Sequence, residues 1–206
     1  MGGSIFVGST VPFLIASIFS MFLLLAFHVP SFAFYKTSSG IANWVTFIRF
    51  MIISVSVYSF SVLSTWIFFV LMIFAVLLDV VDGYLARKFN AQSAFGRIFD
   101  MESDAFFVSC MGLYFYLTTN VGIFLLLPGA LRYFYRLLVW LGPSVSSVEK
   151  KQKYATFLAG SNFVFLLAAI VLEGVAQSIT LWLSICIVTF SFSVSFMAFF
   201  KGIKGG

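Results

Sequence analysis

Residues 65–104 are TWIFFVLMIFAVLLDVVDGYLARKFNAQSAFGRIFDMESD, an apolar run that passes directly into an acidic one. The apolar part supports a membrane helix, which needs about 20 residues to cross the hydrocarbon core. Asp79 and Asp82 are three residues apart and share one face of a helix. Asp100 and Asp104 are four apart and share a face of the next helix. The stretch therefore predicts two antiparallel helices, joined by a short polar connection, whose acidic faces meet.

The four aspartates predict a metal site. Converging carboxylates repel one another and cannot stay ionised at membrane depth without positive charge among them. Residues 65–104 contain no Cys or His, and oxygen-only ligation favours Mg²⁺ or Mn²⁺ over Zn²⁺. Four carboxylates are enough for two ions, and two-metal sites suit displacement at phosphorus. Glu102 lies off the acidic stripe, and we expect it in a local ion pair or at solvent.

The composition of the whole chain excludes a soluble protein. Of 206 residues, 62% are hydrophobic and 9% are charged, against about a quarter charged in an ordinary soluble domain. The 12 basic and 7 acidic side chains are too few to cover a water-soluble globule. A soluble enzyme, a disordered chain and a nucleic-acid-binding protein are thereby excluded. The chain is predicted to be an integral membrane protein, with the lipid bilayer as a partner and no nucleic acid.

Continuous apolar segments, without the alternation of a membrane β-barrel, predict an all-α protein. Seven segments lie at 5–28, 46–62, 65–85, 101–118, 120–141, 155–172 and 177–200. The first lacks a basic leading region and is too long for a typical signal peptide, so we expect a retained helix that spans or lies in the interface. Pro128-Gly129 lies inside the fifth segment and predicts a kink there.

The basic residues predict the orientation. With the N-terminus outside, all 12 basic side chains fall at or near cytoplasmic ends and loops, whereas Glu173 falls on the opposite side. The acidic site then faces the cytoplasm in a multi-pass membrane protein. The short, compact chain favours a bacterial inner membrane.

Small residues and an arginine flank the aspartates. Gly83 follows the first acidic pair and Gly96 precedes the second. Each lacks a Cβ beside the carboxylates, which permits close approach of a bulky ligand. Ala86 and Arg87 complete the turn, where a guanidinium is suited to hold a diphosphate.

The pattern resembles the signature of the CDP-alcohol phosphotransferase family at all eight fixed positions. These positions are Asp79-x2-Asp82-Gly83-x2-Ala86-Arg87-x8-Gly96-x3-Asp100-x3-Asp104. Upstream, Asn43-x2-Thr46-x2-Arg49 is similar to the stretch that precedes the first core helix of the family. Downstream, the resemblance extends to Arg132 and to Lys151-x-Lys153, which is similar to a stretch of phosphatidylglycerophosphate synthases. Tyr133 and Tyr154 stand where those synthases usually have Glu and Thr, which leaves the acceptor open.

The resemblance implies a six-helix transmembrane core, often dimeric, with a cavity open to the cytoplasm. Residues 1–39 then form an additional N-terminal apolar helix and cytoplasmic linker, and residues 40–206 form the family's membrane domain. The implied activity is transfer of a phosphatidyl group from CDP-diacylglycerol, or another CDP-linked donor, to an alcohol with release of CMP.

The resemblance also assigns residues to roles. It implies metal ligation by Asp79, Asp82, Asp100 and Asp104, with Asp104 also as the catalytic base. The nucleotide-binding set is Asp79, Gly83, Ala86, Arg87, Gly96, Asn43, Thr46 and Arg49. The basic residues Arg132, Lys151 and Lys153 are expected to bind the acceptor, with glycerol 3-phosphate as the best candidate.

Two alternatives remain open at the level of sequence. Within the same family, the donor is CDP-choline or CDP-ethanolamine and the acceptor is diacylglycerol. In a different class, the chain is a cation-coupled transporter, in which intramembrane acids mark an ion path. The transporter predicts acids on several helices and at several depths, whereas five of the seven acids here lie in one pair of helices.

Overall fold

The computed structural model describes residues 11, 15, 18, 41–89, 94–141 and 153–204, and all regular structure in these ranges is helical. The α-helices are α1 (Ile41–Tyr58), α2 (Thr65–Lys88), α3 (Ala94–Thr118), α4 (Leu127–Leu141), α5 (Lys153–Val171) and α6 (Gly174–Lys204). A 3₁₀-helix, Ile123–Leu126, precedes α4. The predicted all-α class is confirmed for this part of the chain. The predicted segment 5–28 lies outside the described residues except for three positions.

Two of the described helices are long and apolar enough to cross a membrane. They are Thr65–Lys88 and Gly174–Met197, each of 24 residues. Shorter apolar helical stretches cover Trp44–Tyr58, Ile123–Tyr135 and Gly160–Val171. A core of six transmembrane helices remains a prediction.

The chain divides into two compact units, Met1–Leu117 and Thr118–Gly206. The first unit contains the acidic stretch, and its first two helices are joined by a short turn. The amide of Ser59 donates to the carbonyl of Val55 (2.9 Å), which ends α1. Ser64 caps α2, because its hydroxyl accepts from the amide of Ile67 at 3.3 Å. The cap fixes where the apolar run of α2 begins.

The buried face of α1 is polar at one end and apolar at the other. Thr46 and Arg49 are buried on the same face as Phe50, Ile53 and Val57, at spacings of three and four residues that align side chains along a helix. The opposite face exposes large apolar side chains such as Trp44, Ile48, Met51 and Val55. An apolar outer face and a partly polar inner face are what a membrane helix beside a polar site requires.

Helix α2 continues one stripe from the apolar core into the acidic site. Phe68, Met72 and Ala75 are buried on this stripe, and Asp82, seven residues further on, is also buried. Phe68, Ala75 and Asp82 follow one another at intervals of seven residues, so they lie on one helix face. The apolar part of the stripe anchors the helix, and its continuation carries a carboxylate.

Helix α3 is the most buried of α1, α2 and α3, and every residue from Phe99 to Phe115 is buried or half-buried. Its aromatic contacts reach both neighbours. Phe106 packs on Phe50 of α1, with ring centroids 4.5 Å apart. Tyr114 stacks on Phe68 of α2 at 4.3 Å. These offset ring pairs fix α3 against α1 and α2 and therefore fix the register of the acidic residues at its start.

In the second unit, α5 and α6 form a hairpin around a tight turn. Gly174 adopts φ +62, the left-handed region that favours glycine. The Gln177 side-chain amide donates to the carbonyl of Ala169 at 2.9 Å. Deeper in the pair, the buried Ser184 hydroxyl donates to Oδ1 of the buried Asn162 at 2.5 Å. Interhelical hydrogen bonds of this kind are typical of helices that pack in a membrane.

The predicted kink at Pro128-Gly129 is wrong. Pro128 is the second residue of α4, which begins at Leu127 directly after the 3₁₀-helix. Proline fits the first turn of a helix because the amide it lacks would have no intrahelical partner there. The chain therefore starts a helix at this proline, and the apolar segment 120–141 is two helical elements in place of one.

Candidate metal and nucleotide site

The structure brings three of the four aspartates together. Asp79 and Asp82 of α2 and Asp100 of α3 each offer one carboxylate oxygen, and these oxygens lie within 4.8 Å of one another. The spacing of the aspartates predicted that the two acidic faces meet, and in the structure the first turns of α3 meet the last turns of α2. The arrangement supplies oxygen ligands from two helices to one point.

Arg49 joins the fourth aspartate to this group. Its guanidinium forms ion pairs with Asp79 and, through Nη2, with Oδ1 of Asp104 at 3.2 Å and Oδ1 of Asp100 at 3.5 Å. Nη2 also donates to the backbone carbonyl of Asp100 at 3.3 Å. One buried cation of α1 therefore contacts carboxylates of both α2 and α3.

Thr46 supports the remaining aspartate. Its hydroxyl donates to Oδ2 of Asp82 at 2.6 Å, and both residues are buried, at 3% and 4% exposed. A short hydrogen bond to a buried carboxylate oxygen restrains the orientation of that carboxylate. Thr46 and Arg49 are three residues apart on α1, so one face of this helix contacts all four aspartates.

One side of the site is buried, and the other side is accessible to solvent. The Arg49 side chain is 3% exposed, whereas those of Asp79, Asp100 and Asp104 are 27%, 44% and 36% exposed. The guanidinium lies beneath carboxylates that a ligand from outside can reach. The single positive charge of Arg49 does not balance four carboxylates, so additional cations are favoured at the accessible side of the site.

The donor set fits a hard divalent cation. Among the described residues, the clustered ligand atoms are carboxylate oxygens from Asp79, Asp82 and Asp100, with no nitrogen or sulfur in the group. Mg²⁺ and Mn²⁺ prefer such oxygen ligands. Asp104 lies outside this three-residue group and contacts it through Arg49, so metal ligation by Asp104 remains a prediction.

Two side chains near the site depart from the analysis of the sequence. Ser103 was not predicted, yet its hydroxyl accepts from Nε of Arg49 at 3.1 Å, and the side chain is fully buried. Its position three residues after Asp100 places it on the acidic stripe, which is the signal that identifies it. Glu102 is 1% exposed, so the expectation that it meets solvent is wrong, because α3 is buried on both sides of the stripe.

Four of the predicted nucleotide residues lie along the end of α2 and the start of α3, whereas Asn43, Thr46 and Arg49 lie on α1. Gly83 and Ala86 are half-buried and Arg87 is exposed in the last two turns of α2, whereas Gly96 is half-buried in the first turn of α3. A Cβ built on Gly83 would lie 4.0 Å from Nη2 of Arg87. The Arg87 guanidinium therefore extends back along the helix toward Gly83.

The other predicted residues have less structural description. Asn43 lies in the first turn of α1, and its side chain is outside the described part. In the second unit, Arg132 lies half-buried in α4. Lys153 is the first residue of α5, and Lys151 lies outside the described residues.

Comparison with known families gives a match over most of the chain. A family model described as CDP-alcohol phosphatidyltransferase matches residues 39–200. The matched range contains the acidic stretch, the Thr46/Arg49 face and helices α1 to α6 except for the last four residues of α6. No solved structure gave a significant match to the chain.

The chain is also similar to curated bacterial proteins named CDP-diacylglycerol–glycerol-3-phosphate 3-phosphatidyltransferase. The protein from Rickettsia felis is 30% identical over 79 residues, which cover 37% of this chain and 44% of the relative. The Rickettsia prowazekii protein is 30% identical over 89 residues, with 42% and 49% covered. The Rickettsia typhi protein is 32% identical over 85 residues, with 40% and 48% covered. The matched region thus spans less than half the length of these relatives.

Proposed function

The chain belongs to the CDP-alcohol phosphatidyltransferase family, and from this premise we propose that it transfers a phosphatidyl group from CDP-diacylglycerol to an alcohol, releasing CMP. The observation that carries the proposal is the meeting of Asp79, Asp82 and Asp100, each with a carboxylate oxygen within 4.8 Å of the others. These carboxylates can hold divalent cations, and the cations neutralise a diphosphate. A CDP-linked donor contains such a diphosphate.

The carboxylates of Asp79, Asp82 and Asp100 would hold the divalent cation, Mg²⁺ or Mn²⁺, and a second ion would share the site. When bound, such ions neutralise the diphosphate and stabilise the leaving oxygen of CMP. The hydrogen bond from Thr46 keeps the Asp82 carboxylate in one orientation. The side chains of Asp79 and Asp100 are partly exposed, so they can meet a donor at the accessible side.

Asp104 is proposed as the base. It lies one helical turn beyond Asp100 on the same face, and its side chain is 36% exposed. The acceptor hydroxyl attacks the β-phosphorus of the donor, its proton passes to an Asp104 carboxylate oxygen, and the bond from the β-phosphorus to the oxygen of CMP breaks. The ion pair with Nη2 of Arg49, at 3.2 Å, holds the Asp104 carboxylate beside the other aspartates.

The nucleotide would lie along the end of α2. Gly83, Ala86 and Gly96 give space for the cytidine nucleotide, and the Arg87 guanidinium, 4.0 Å from the Cβ position of Gly83, is placed to contact its phosphates. Asn43 belongs to the same proposed nucleotide end through its match to the family stretch.

Glycerol 3-phosphate is the proposed acceptor. The curated relatives are named for this acceptor, and the basic residues Arg132, Lys151 and Lys153 offer charges for its phosphate. CDP-choline or CDP-ethanolamine with diacylglycerol as acceptor is the alternative within the family.

The apolar helices and the family together describe a membrane protein. We propose that it is multi-pass with the acidic site facing the cytoplasm, because the basic residues would then lie on the cytoplasmic side. A bacterial inner membrane and a homodimer complete the proposal.

The test is CMP release by purified protein with Mg²⁺ or Mn²⁺, CDP-diacylglycerol and a panel of alcohols. Release with glycerol 3-phosphate, and its loss in EDTA, is the expected result. No CMP above background with any acceptor, and none from CDP-choline or CDP-ethanolamine with diacylglycerol, would refute the enzyme.

Substitution tests the base separately. Asp104→Asn should lower the turnover by roughly 10²–10⁴-fold, the usual contribution of a positioned base, while CDP-diacylglycerol binding changes little. Asp104→Glu, which keeps a carboxylate, is the matched control and should retain part of the activity. Normal turnover of Asp104→Asn would show that another group takes the proton.

A further inference from the structure

The contacts of Arg49 extend beyond an ordinary ion pair. The guanidinium forms ion pairs with Asp79, Asp100 and Asp104, and it donates to the Ser103 hydroxyl and to a backbone carbonyl. It is itself 2% exposed. All these partners lie on helices other than its own, so Arg49 joins α1, α2 and α3 at the level of the proposed metal site.

We infer that Arg49 is a positioning residue and a built-in counter-cation of the site. It holds the carboxylates of α2 and α3 together, and its charge lowers the affinity of these carboxylates for divalent ions. The inference rests on the proposed metal-dependent function and adds to it a residue that determines how tightly the metal is held.

Two properties of the guanidinium support this role. It carries a positive charge, and its planar fork of five donors matches several carboxylate oxygens at once. A divalent ion that binds Asp79 and Asp100 would therefore lie within a few ångströms of a fixed positive charge. In a partly buried site, where the effective dielectric constant is about 20, repulsion between charges at that distance changes a binding constant by tenfold or more.

Arg49 therefore has two opposite effects that a purely structural residue would not combine. Without Arg49, four carboxylates at one point repel one another and destabilise the fold. The same loss removes the charge that opposes the incoming metal. Removal of the charge should make the protein less stable in EDTA and should make its metal binding tighter.

The experiment measures Mn²⁺ binding by electron paramagnetic resonance and thermal unfolding of the purified full chain in detergent, after EDTA treatment. We expect Arg49→Gln to bind Mn²⁺ about tenfold more tightly than the wild type. In EDTA its unfolding temperature should fall by roughly 5–10 °C, and Mn²⁺ should raise that temperature more than in the wild type. Arg49→Lys keeps the charge and should bind Mn²⁺ within about threefold of the wild type.

Lys88→Gln is the matched control, because it removes the same charge from an exposed side chain at the end of α2. The Lys88 ammonium lies 5.7 Å from the ring centroid of Tyr84, a side chain that is itself exposed. Screening in solution should keep its Mn²⁺ affinity and stability near those of the wild type. An equal effect of Lys88→Gln and Arg49→Gln would reduce the role of Arg49 to net charge and overturn the inference.

Each remaining outcome is also decisive. A folded Arg49→Gln that binds Mn²⁺ as weakly as the wild type, or more weakly, would overturn the counter-cation role. If Arg49→Gln does not fold, the double variant Arg49→Gln/Asp79→Asn, which removes one charge of each sign, should recover folded protein, and a failure to recover would overturn it. If the wild type binds no Mn²⁺, the proposed metal function fails instead. Comparison of the unfolding temperatures of Arg49→Gln and Lys88→Gln in EDTA then still tests whether Arg49 pairs with the carboxylates.

Discussion

Replacement of Thr46 by valine tests how the Asp82 carboxylate is held. The Thr46 hydroxyl donates to Oδ2 of Asp82 at 2.6 Å, and both residues are buried, so water cannot replace the lost donor easily. Hydrogen bonds to charged groups contribute about 1.5–3 kcal/mol. Loss of a partner that orients a metal ligand lowers metal affinity by about 10–100-fold. Thr46→Val keeps the shape of the side chain, so the change isolates the hydroxyl.

The assay is Mn²⁺ titration by electron paramagnetic resonance, together with the Mn²⁺ dependence of CMP release. Thr46→Val should require about 10–100-fold more Mn²⁺ for both. Thr46→Ser, which keeps the hydroxyl, should stay near the wild type. The predicted direction is opposite to that for Arg49→Gln, although both residues lie on one face of α1. Wild-type Mn²⁺ affinity and CMP release in Thr46→Val would refute the view that this hydroxyl orients a metal ligand.

Two further substitutions test the nucleotide space and the second unit. Gly83→Ala should leave stability unchanged or raise it by up to about 1 kcal/mol, because alanine favours helix and, among the described residues, the side-chain atom nearest to the new Cβ is Nη2 of Arg87, at 4.0 Å. The KM for the CDP-linked donor should nevertheless rise by about tenfold or more, and an unchanged KM would contradict the proposed nucleotide position. Ser184→Ala should destabilise the chain by about 0.6–1.7 kcal/mol in thermal unfolding, since it removes the 2.5 Å bond to Asn162. Ser193→Ala is the control. Ser193 is exposed on the same helix, and among the hydrogen bonds in the described part its hydroxyl contacts only the backbone of that helix. An equal loss of stability in both variants would contradict a special role for the buried pair.

Local spacing predicted much of the site, because the aspartates of each pair share one helix face. The positions of Asp79, Asp82 and Asp100 could therefore be expected from the sequence. The pairing of Arg49 with Asp79 could not, because the two residues are 30 positions apart and meet only through the packing of α1 on α2. The burial of Glu102 could not be expected for a similar reason. Helical spacing gives the direction in which its side chain leaves the helix axis, whereas the packing around α3 decides whether solvent lies in that direction.

The start of α4 shows a second limit of pattern analysis. Hydropathy treats 120–141 as one apolar segment, and a proline inside such a segment ordinarily predicts a kink. Whether Pro128 interrupts a helix or begins one depends on the backbone before it. Here Gly122 adopts φ +87 ahead of the 3₁₀-helix, which changes the chain direction and lets a new helix begin.

The outer face of α2 has a consequence for how the proposed lipid donor would reach the acidic group. Leu77, Val80 and Val81 are 55%, 62% and 43% exposed, and they lie on the same turns of the helix as Asp79 and Asp82. Apolar side chains therefore face outward at the level where the carboxylates face inward. A molecule with acyl chains can approach this point by lateral diffusion within one leaflet, with its tails in hydrocarbon throughout. In the proposed transfer from CDP-diacylglycerol, this helix would place the boundary between hydrocarbon and water at the reacting phosphorus, and the lipid would not have to leave the membrane.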